Sequence, residues 1–479
     1  MAHDRYENPL VSRYASDAMS YVWSPQKKFS TWRRLWLALA QSQQELGLNI
    51  DDEQLTEMAA HLDDIDFERA REYEKELRHD VMSHIRAWGE VCPKARPIIH
   101  LGATSCYVAD NTELIQIRES LRLVLTRLLR AIKLMRNLAK TTKDLPTQGF
   151  THYQPAQLTT VGKRVTLWMQ DLMLDFDRLL REYRELPFRG VKGTVGTQAS
   201  FLSLFDGDHT KVEELNRLVC ERMGFERAIP VSGQTYTRKI DYFVLAGLSG
   251  VAQSAHKIAT DIRLLANRKE VEEPFGKAQV GSSAMAYKRN PMRSERICSL
   301  ARYVISLTSN AANTHANQWF ERTLDDSANR RLSLPEAFLG TDVILRLIVN
   351  VFDGLQIWRL VIRRHIDEEL PFMATEDILM ACVQAGGDRQ ELHEAIREHS
   401  MAAARQVKEH GEANDLVKRL ADDDRFSAVH GRLKKMLNPK KFVGRAPQQV
   451  EHFVTTEVDP LLEEHADMLN GDVDTSLAV

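Results

Sequence analysis

Cysteine is scarce in this chain. The 479 residues hold five, at positions 92, 106, 220, 298 and 382, and no two form a C-x-x-C pair. That spacing indicates neither a zinc knuckle nor a disulfide framework, and it fits a reducing compartment. Long apolar runs are missing too, and residues 1–10 lack the apolar core of a signal peptide, so the expectation is a soluble, cytoplasmic protein with no membrane partner. Charge is balanced, 64 basic against 67 acidic residues for a net −3, which gives no global attraction to nucleic acid. Any anion binding is therefore local. The glycines at 190, 193 and 196 fit neither G-x-G-x-x-G nor a phosphate-binding Walker loop, and His393-Glu394 with His399 lacks the H-E-x-x-H spacing. Neither a metal nor a nucleotide cofactor is expected.

What the chain has is helix. A hydrophobic fraction of 43% over 479 residues exceeds what one core absorbs, so two or three domains are expected. We place them at 1–104, an N-terminal helical domain; 105–357, a central bundle; and 358–479, a C-terminal helical domain. Shorter helical patterns cover 29–48 and 66–91, the second carrying Arg78-His79-Asp80. Residues 91–111 break the pattern, with Asp110 or Asn111 as the cap of the next helix. Five long patterns without internal proline come after the break, at 111–145, 163–186, 235–273, 292–320 and 336–370. In the third, Ile240, Val244, Leu248, Val251, Ala255, Ile258, Ile262 and Leu265 step by three or four, the seam of nearly parallel helices in a bundle. Such helices span roughly 36–58 Å. They outrun one globular core, which predicts packing against copies of the same chain. Gly247 and Gly250 within the seam either admit close neighbours or are tolerated defects. The tail beyond residue 471 reads as frayed.

Three stretches between helices hold chemistry-bearing residues. Thr104-Ser105 opens the first. Gly149 to Gln157 forms the second, a loop directly before the second bundle helix, where His152 beside Thr151 and Gln154 is either a proton donor or, as is commoner for such a residue, a capping or core histidine. The third, Gly-Ser-Ser-Ala-Met-Ala-Tyr-Lys-Arg-Asn-Pro from 281 to 291, has small hydroxyl residues, two cations and an Asn-Pro break. By composition alone it is a solvated loop or an anion site.

The third stretch resembles the signature loop of the fumarase/aspartase superfamily, Gly-Ser-Ser-x-Met-Pro-x-Lys-x-Asn-Pro, at every fixed position except Ala286, where the family has proline. Losing that proline frees φ and restores an N–H, which implies a more mobile loop. Together with Arg78-His79-Asp80, Thr104-Ser105, Thr151-His152, Gly233-Gln234-Thr235-Tyr236 and the run from Glu321 to Arg331, the chain is similar to the animal-type adenylosuccinate lyase family from Ser12 to Val450. The resemblance implies an all-α fold whose central five-helix bundle builds a homotetramer, each site drawing on three subunits. It implies elimination of fumarate from adenylosuccinate and from the succinyl-carboxamide ribotide SAICAR, giving AMP and AICAR in purine biosynthesis.

Residue by residue, it implies His152 as general acid, Ser282 as general base, Lys288 stabilising the base and the substrate carboxylates together with Asn290, and Glu295 paired with His152. Arg13, Tyr14, Arg322, Ser327 and Arg331 would hold the ribotide phosphate with His79 near it. Thr104, Ser105 and Gln234 would bond the succinyl part, and Arg78, Asp80 and Arg296 complete the substrate-binding set. A sibling lyase would share the serine loop but not the phosphate cations. A non-catalytic helical oligomer would have no use for His152, Ser282 and Lys288.

Overall fold

The computed structural model describes residues 4–276 and 279–470; the tail read as frayed lies outside them. Helix α1 (Pro25–Glu45) starts where Ser24 accepts the Lys27 N–H and Pro25 supplies a preset φ, and it buries Trp32, Leu35, Trp36 and Leu39. The pattern read as one helix over 66–91 is two, α2 (Phe67–Leu77) and α3 (Asp80–Val91). Arg78 turns left-handed at φ +53° and ends α2, and His79 caps α3 by accepting the Met82 N–H on its ring. Apolar periodicity runs on across such a break, so it leaves no trace in the pattern.

Helix α4 (Ser105–Thr142) begins earlier than expected, with Thr104 as its cap. Asp110 and Asn111 are not caps but buried residues inside α4; the Asn111 amide exchanges two hydrogen bonds with the Gly190 backbone, each 3.1 Å. Next comes not the expected loop but a β-hairpin, β1 (Pro146–Thr151) against β2 (Gln154–Thr160). His152 and Tyr153 form its turn at φ +52° and +56°, the paired left-handed geometry that suits the twist of a tight hairpin. His152 therefore stands at a hairpin tip, and Thr160 rather than the histidine stands at the entrance of α5 (Val161–Glu185).

Helices α6 (Lys239–Asn267), α7 (Met292–Ala316) and α8 (Asp325–Asp353) complete a five-helix bundle with α4 and α5. The last departs from the 336–370 expectation at both ends. It starts at Asp325, runs through Pro335 and stops before Gly354, after which Gln356–Ile357 pairs with Val271–Glu272 and α9 (Arg359–Met373) begins. Proline costs a helix one hydrogen bond but does not end it when packing on neighbouring turns, here Leu334, Ala337 and Phe338, holds both sides.

The α6 seam is buried from Val244 to Leu265. Each large aliphatic side chain there contributes about 1.5–3 kcal/mol by leaving water. Gly247 and Gly250 admit α5: a Cβ would lie 2.6 Å from Leu179 Cδ2 at the first and 2.8 Å from Asp175 Oδ1 at the second. One apolar core joins the N-terminal helices, the bundle and Val450 to Val458; a separate one lies between Ala374 and Leu433. All five cysteines are free and buried, and burial pushes the Cys92 and Cys106 thiols up to about 12 and Cys220 up to about 11. No helix among the described residues is long and apolar enough to cross a membrane.

Candidate active site

The signature loop is folded by its own residues. A Cβ at Gly281 would lie 2.3 Å from the Lys288 carbonyl, so only glycine lets the loop close on itself there, and Asn290 Nδ2 seals it by donating to the Gly281 carbonyl at 2.9 Å. Within this turn Ser282 Oγ accepts the N–H groups of Ala284 at 3.3 Å and Met285 at 3.2 Å. Two amide dipoles aimed at one oxygen favour its ionised form. Buried Glu273 caps α7 directly behind the loop, taking the Ser294 N–H at 2.7 Å and the Arg293 N–H at 3.0 Å. That fixes the first turn of α7, from which Glu295 and Arg296 project. A cavity of about 550 Å³ opens beside the loop, lined by Lys288, Arg289, Asn290 and Tyr287 among others.

Arg296 lies over the Tyr14 ring at 5.2 Å, and Arg13 over the same ring at 5.9 Å, so these three expected substrate ligands meet. A second meeting point gathers His79, Asp80, Ser105 and Arg331 from three parts of the chain. Ser105 Oγ and His79 Nε2 are 3.4 Å apart, and Arg331 Nη2 reaches Asp80 Oδ2 at 3.2 Å. Gln234 is nearby on the α4 side, its Oε1 receiving the Cys106 thiol at 3.4 Å and its Nε2 donating to the Thr194 carbonyl at 3.0 Å.

A buried ionic network, which sequence reasoning missed, sets the positions of Arg322, Ser327 and Arg331. Arg238 binds Asp326 at 2.7 Å and Asp110 at 3.1 Å; Arg330 binds Asp241 at 2.7 Å, Glu113 and the Tyr236 hydroxyl; Tyr236 in turn donates to Asp241 at 2.6 Å. Arg322 joins from outside at 2.9 Å from Asp326. Burial alone would raise the Asp110 carboxyl, but Arg238, Arg330 and Arg189 outweigh it and hold it below its ordinary range. The adjacent pair Arg330-Arg331 thus faces two ways, one guanidinium into the core and one outward. The signal available was the i, i+4 spacing of Arg322 and Asp326, a pair that does form.

The hairpin that carries His152 is rooted at the other end of α6. Arg268, which caps the C-terminus of α6, donates to Gln148 Oε1 at 3.0 Å and stacks on Phe150 at 4.8 Å, while Arg164 donates to the Gln148 carbonyl at 2.6 Å. Gln234 precedes the N-terminus of the same helix, whose 29 residues span about 43 Å. Within one chain, then, His152 and the Gln234–Arg331 group are at opposite ends of the bundle, and no hydrogen bond among the described residues joins His152 to Glu295.

Comparison with known proteins accounts for the motif set. A family model described as "Lyase" matches residues 27–306, and one described as "Adenylosuccinate lyase C-terminus" matches 371–453. The chain is 54% identical to the adenylosuccinate lyase of Saccharomyces cerevisiae over 98% of each chain, and 53% identical to that of Schizosaccharomyces pombe over 97% of each. Among solved structures, the 3-carboxy-cis,cis-muconate lactonizing enzyme of Pseudomonas putida shares its fold at a TM-score of 0.80 and 22% identity, covering 94% of this chain and 98% of that one. The all-α bundle, the serine loop and these full-length matches together make the chain a member of the adenylosuccinate lyase family, within the fumarase/aspartase superfamily.

Proposed function

We propose that this chain is a C–N lyase that eliminates fumarate from adenylosuccinate to leave AMP, and from SAICAR to leave AICAR. The observation that carries the reading is the Ser282 oxygen held by two amides in the loop that also presents Lys288 and Asn290. Ser282, as alkoxide, takes the proton from the succinyl carbon; the electrons of that C–H bond pass through a carbanion to become the new C=C bond. Lys288 offsets the carboxylate charge that builds up on the way, and Asn290 supports it as a neutral hydrogen-bond donor. The C–N bond breaks, and His152 gives the departing nitrogen its proton.

Arg322, Ser327 and Arg331 hold the ribotide phosphate with Arg13 and Tyr14, and His79 assists beside Arg331. Thr104, Ser105 and Gln234 bond the succinyl group; Arg78, Asp80 and Arg296 contribute to the rest of the ribotide. We assign the chain to a cytoplasmic homotetramer in which three subunits furnish each site. The separation of about 43 Å along α6 supports this, because an antiparallel neighbour brings one end of its bundle against the other end of this one. We assign the chain three segments, an N-terminal helical domain (1–104), the central bundle (105–357) and a C-terminal helical domain (358–479).

Arginine at 322 and 331 favours a phosphorylated substrate over the siblings' unphosphorylated ones. The test is fumarate release from purified protein given adenylosuccinate or argininosuccinate, with Ser282→Ala as control. Release from adenylosuccinate alone, abolished by the substitution, is expected. Release from argininosuccinate, or undiminished release by the variant, would refute the reading.

A further inference from the structure

Lys27 and Lys28 are neighbours on α1 with different surroundings. Lys27 Nζ bonds Glu119 on α4 at 2.8 Å. The Lys28 ammonium instead lies over the rings of Phe29 and Trp32, 5.5 and 5.2 Å from their centroids, and among the described residues it has neither a hydrogen bond nor a carboxylate at ion-pair distance. Phe29 in turn stacks on His84 at 3.7 Å, one turn along α3 from Asp80, the partner of Arg331, and the charges that act on Lys28 are Glu113, Arg331, Asp80 and Glu74. Two of those carboxylates are already taken, Glu113 by Arg330 and Asp80 by Arg331. Burial, the largest influence on Lys28, holds its pKa below the ordinary lysine value.

A half-buried ammonium that has given up part of its hydration for aromatic faces recovers only a fraction of the loss by cation–π attraction. What would complete its shell is an anion arriving from outside the chain. The place is the one where Arg331 emerges, close to His79 and Ser105, at the end of the bundle assigned to the ribotide. We infer that Lys28 is a further ligand of the substrate phosphate, placed beside Arg331; this rests on the function proposed above and extends it. Arginine contributes a planar fork to two phosphate oxygens, and lysine contributes a compact charge with three donors to a third. When the phosphate draws Arg331 away, Asp80 stays within the field of Lys28 and is not left unbalanced.

The test compares ligands that differ only in the phosphate. Lys28→Met keeps the stem against Phe29 and Trp32; Lys28→Gln is the second variant if circular dichroism shows the first to be misfolded. In the assembled wild-type and variant proteins one measures affinity for AMP and for adenosine, KM and kcat for adenylosuccinate, and the rise in melting temperature given by inorganic phosphate. Loss of one charge-assisted contact should weaken AMP and raise KM about tenfold or more. Adenosine binding should be unchanged, kcat within about twofold, the phosphate-induced rise lost, and Lys28→Arg should recover most of the effect. Parallel weakening of AMP and adenosine would reduce Lys28 to a structural role, and unchanged AMP affinity would remove it from the site; either overturns the inference. Should wild-type protein release no fumarate, the proposed reaction falls, while the phosphate comparison still decides what Lys28 does.

Discussion

Ser282 Oγ accepts the Met285 N–H at 3.2 Å, so the proposed base is solvated by its own loop before any substrate arrives. The remaining stabilisation must come from a cation; the same turn presents two exposed ones, and of these Arg289 is engaged by Glu272 at 3.0 Å, which points to Lys288. Lys288→Met should therefore lower kcat roughly 10²–10³-fold, the usual effect of removing one preorganised charge-stabilising group, with little change in melting temperature. A kcat within about threefold of wild type would remove Lys288 from the chemistry.

Mixing two inactive proteins tests the sharing of sites. If His152 and Ser282 of each site come from different subunits, then His152→Ala and Ser282→Ala chains, dissociated and reassembled together in equal amounts, should regain about a quarter of wild-type activity by random assortment. No recovery in mixed tetramers verified by mass spectrometry would confine each site to one chain.

The network under Arg331 governs stability as well as position. Asp241→Ala removes the buried carboxylate that accepts from both Arg330 Nε and the Tyr236 hydroxyl, leaving Arg330 only Glu113 and the tyrosine oxygen; this should cost about 3–5 kcal/mol, read as a lower urea midpoint at fixed protein concentration. An unchanged midpoint would mean that water enters and compensates.

Asp175, between α5 and α6, accepts the Ser254 hydroxyl at 2.6 Å, and burial pushes its pKa up to about 6. A raised carboxyl pKa means that the folded state prefers the protonated form. Its ionisation therefore costs nothing below about pH 4, and the cost grows as pH rises through 6 and is complete near 7. Asp175→Asn should leave stability unchanged at pH 4 and raise it at pH 8 by on the order of 1–2 kcal/mol, allowing for partial exposure. A gain that is equal at both pH values would show that the charge is not the cause.

The residues legible from sequence are those whose packing repeats. The seam from Val244 to Leu265 follows one period, and so it announces a long helix and the face it buries. Gly281 and Asn290 are legible as members of a motif, though the closure between them is not. The hairpin escapes notice because its turn uses His152 and Tyr153 in left-handed conformations and carries none of the Asn-Gly or Asp-Gly signals of such turns. Asp110 and Asn111 resemble a helix cap because polar residues usually favour that role; what overrides it is a tertiary partner, Arg238 for one and the Gly190 backbone for the other. Pro335 marks a boundary on local grounds alone, and burial on both sides overrules it. The gathering of His79, Ser105 and Arg331 joins distant stretches of chain, and only the motif resemblance hints at it.

The burial of all five thiols gives the protein a set of internal clocks. An alkylating reagent reaches each one only when its surroundings open, so the labelling rate at each position times a different local event. Cys92 reports the end of α3, Cys106 the start of α4, Cys298 the bundle helix behind the serine loop, and Cys382 the separate C-terminal core. Ligands that close the site should slow the clocks at 106 and 298 and leave 382 ticking at its own pace.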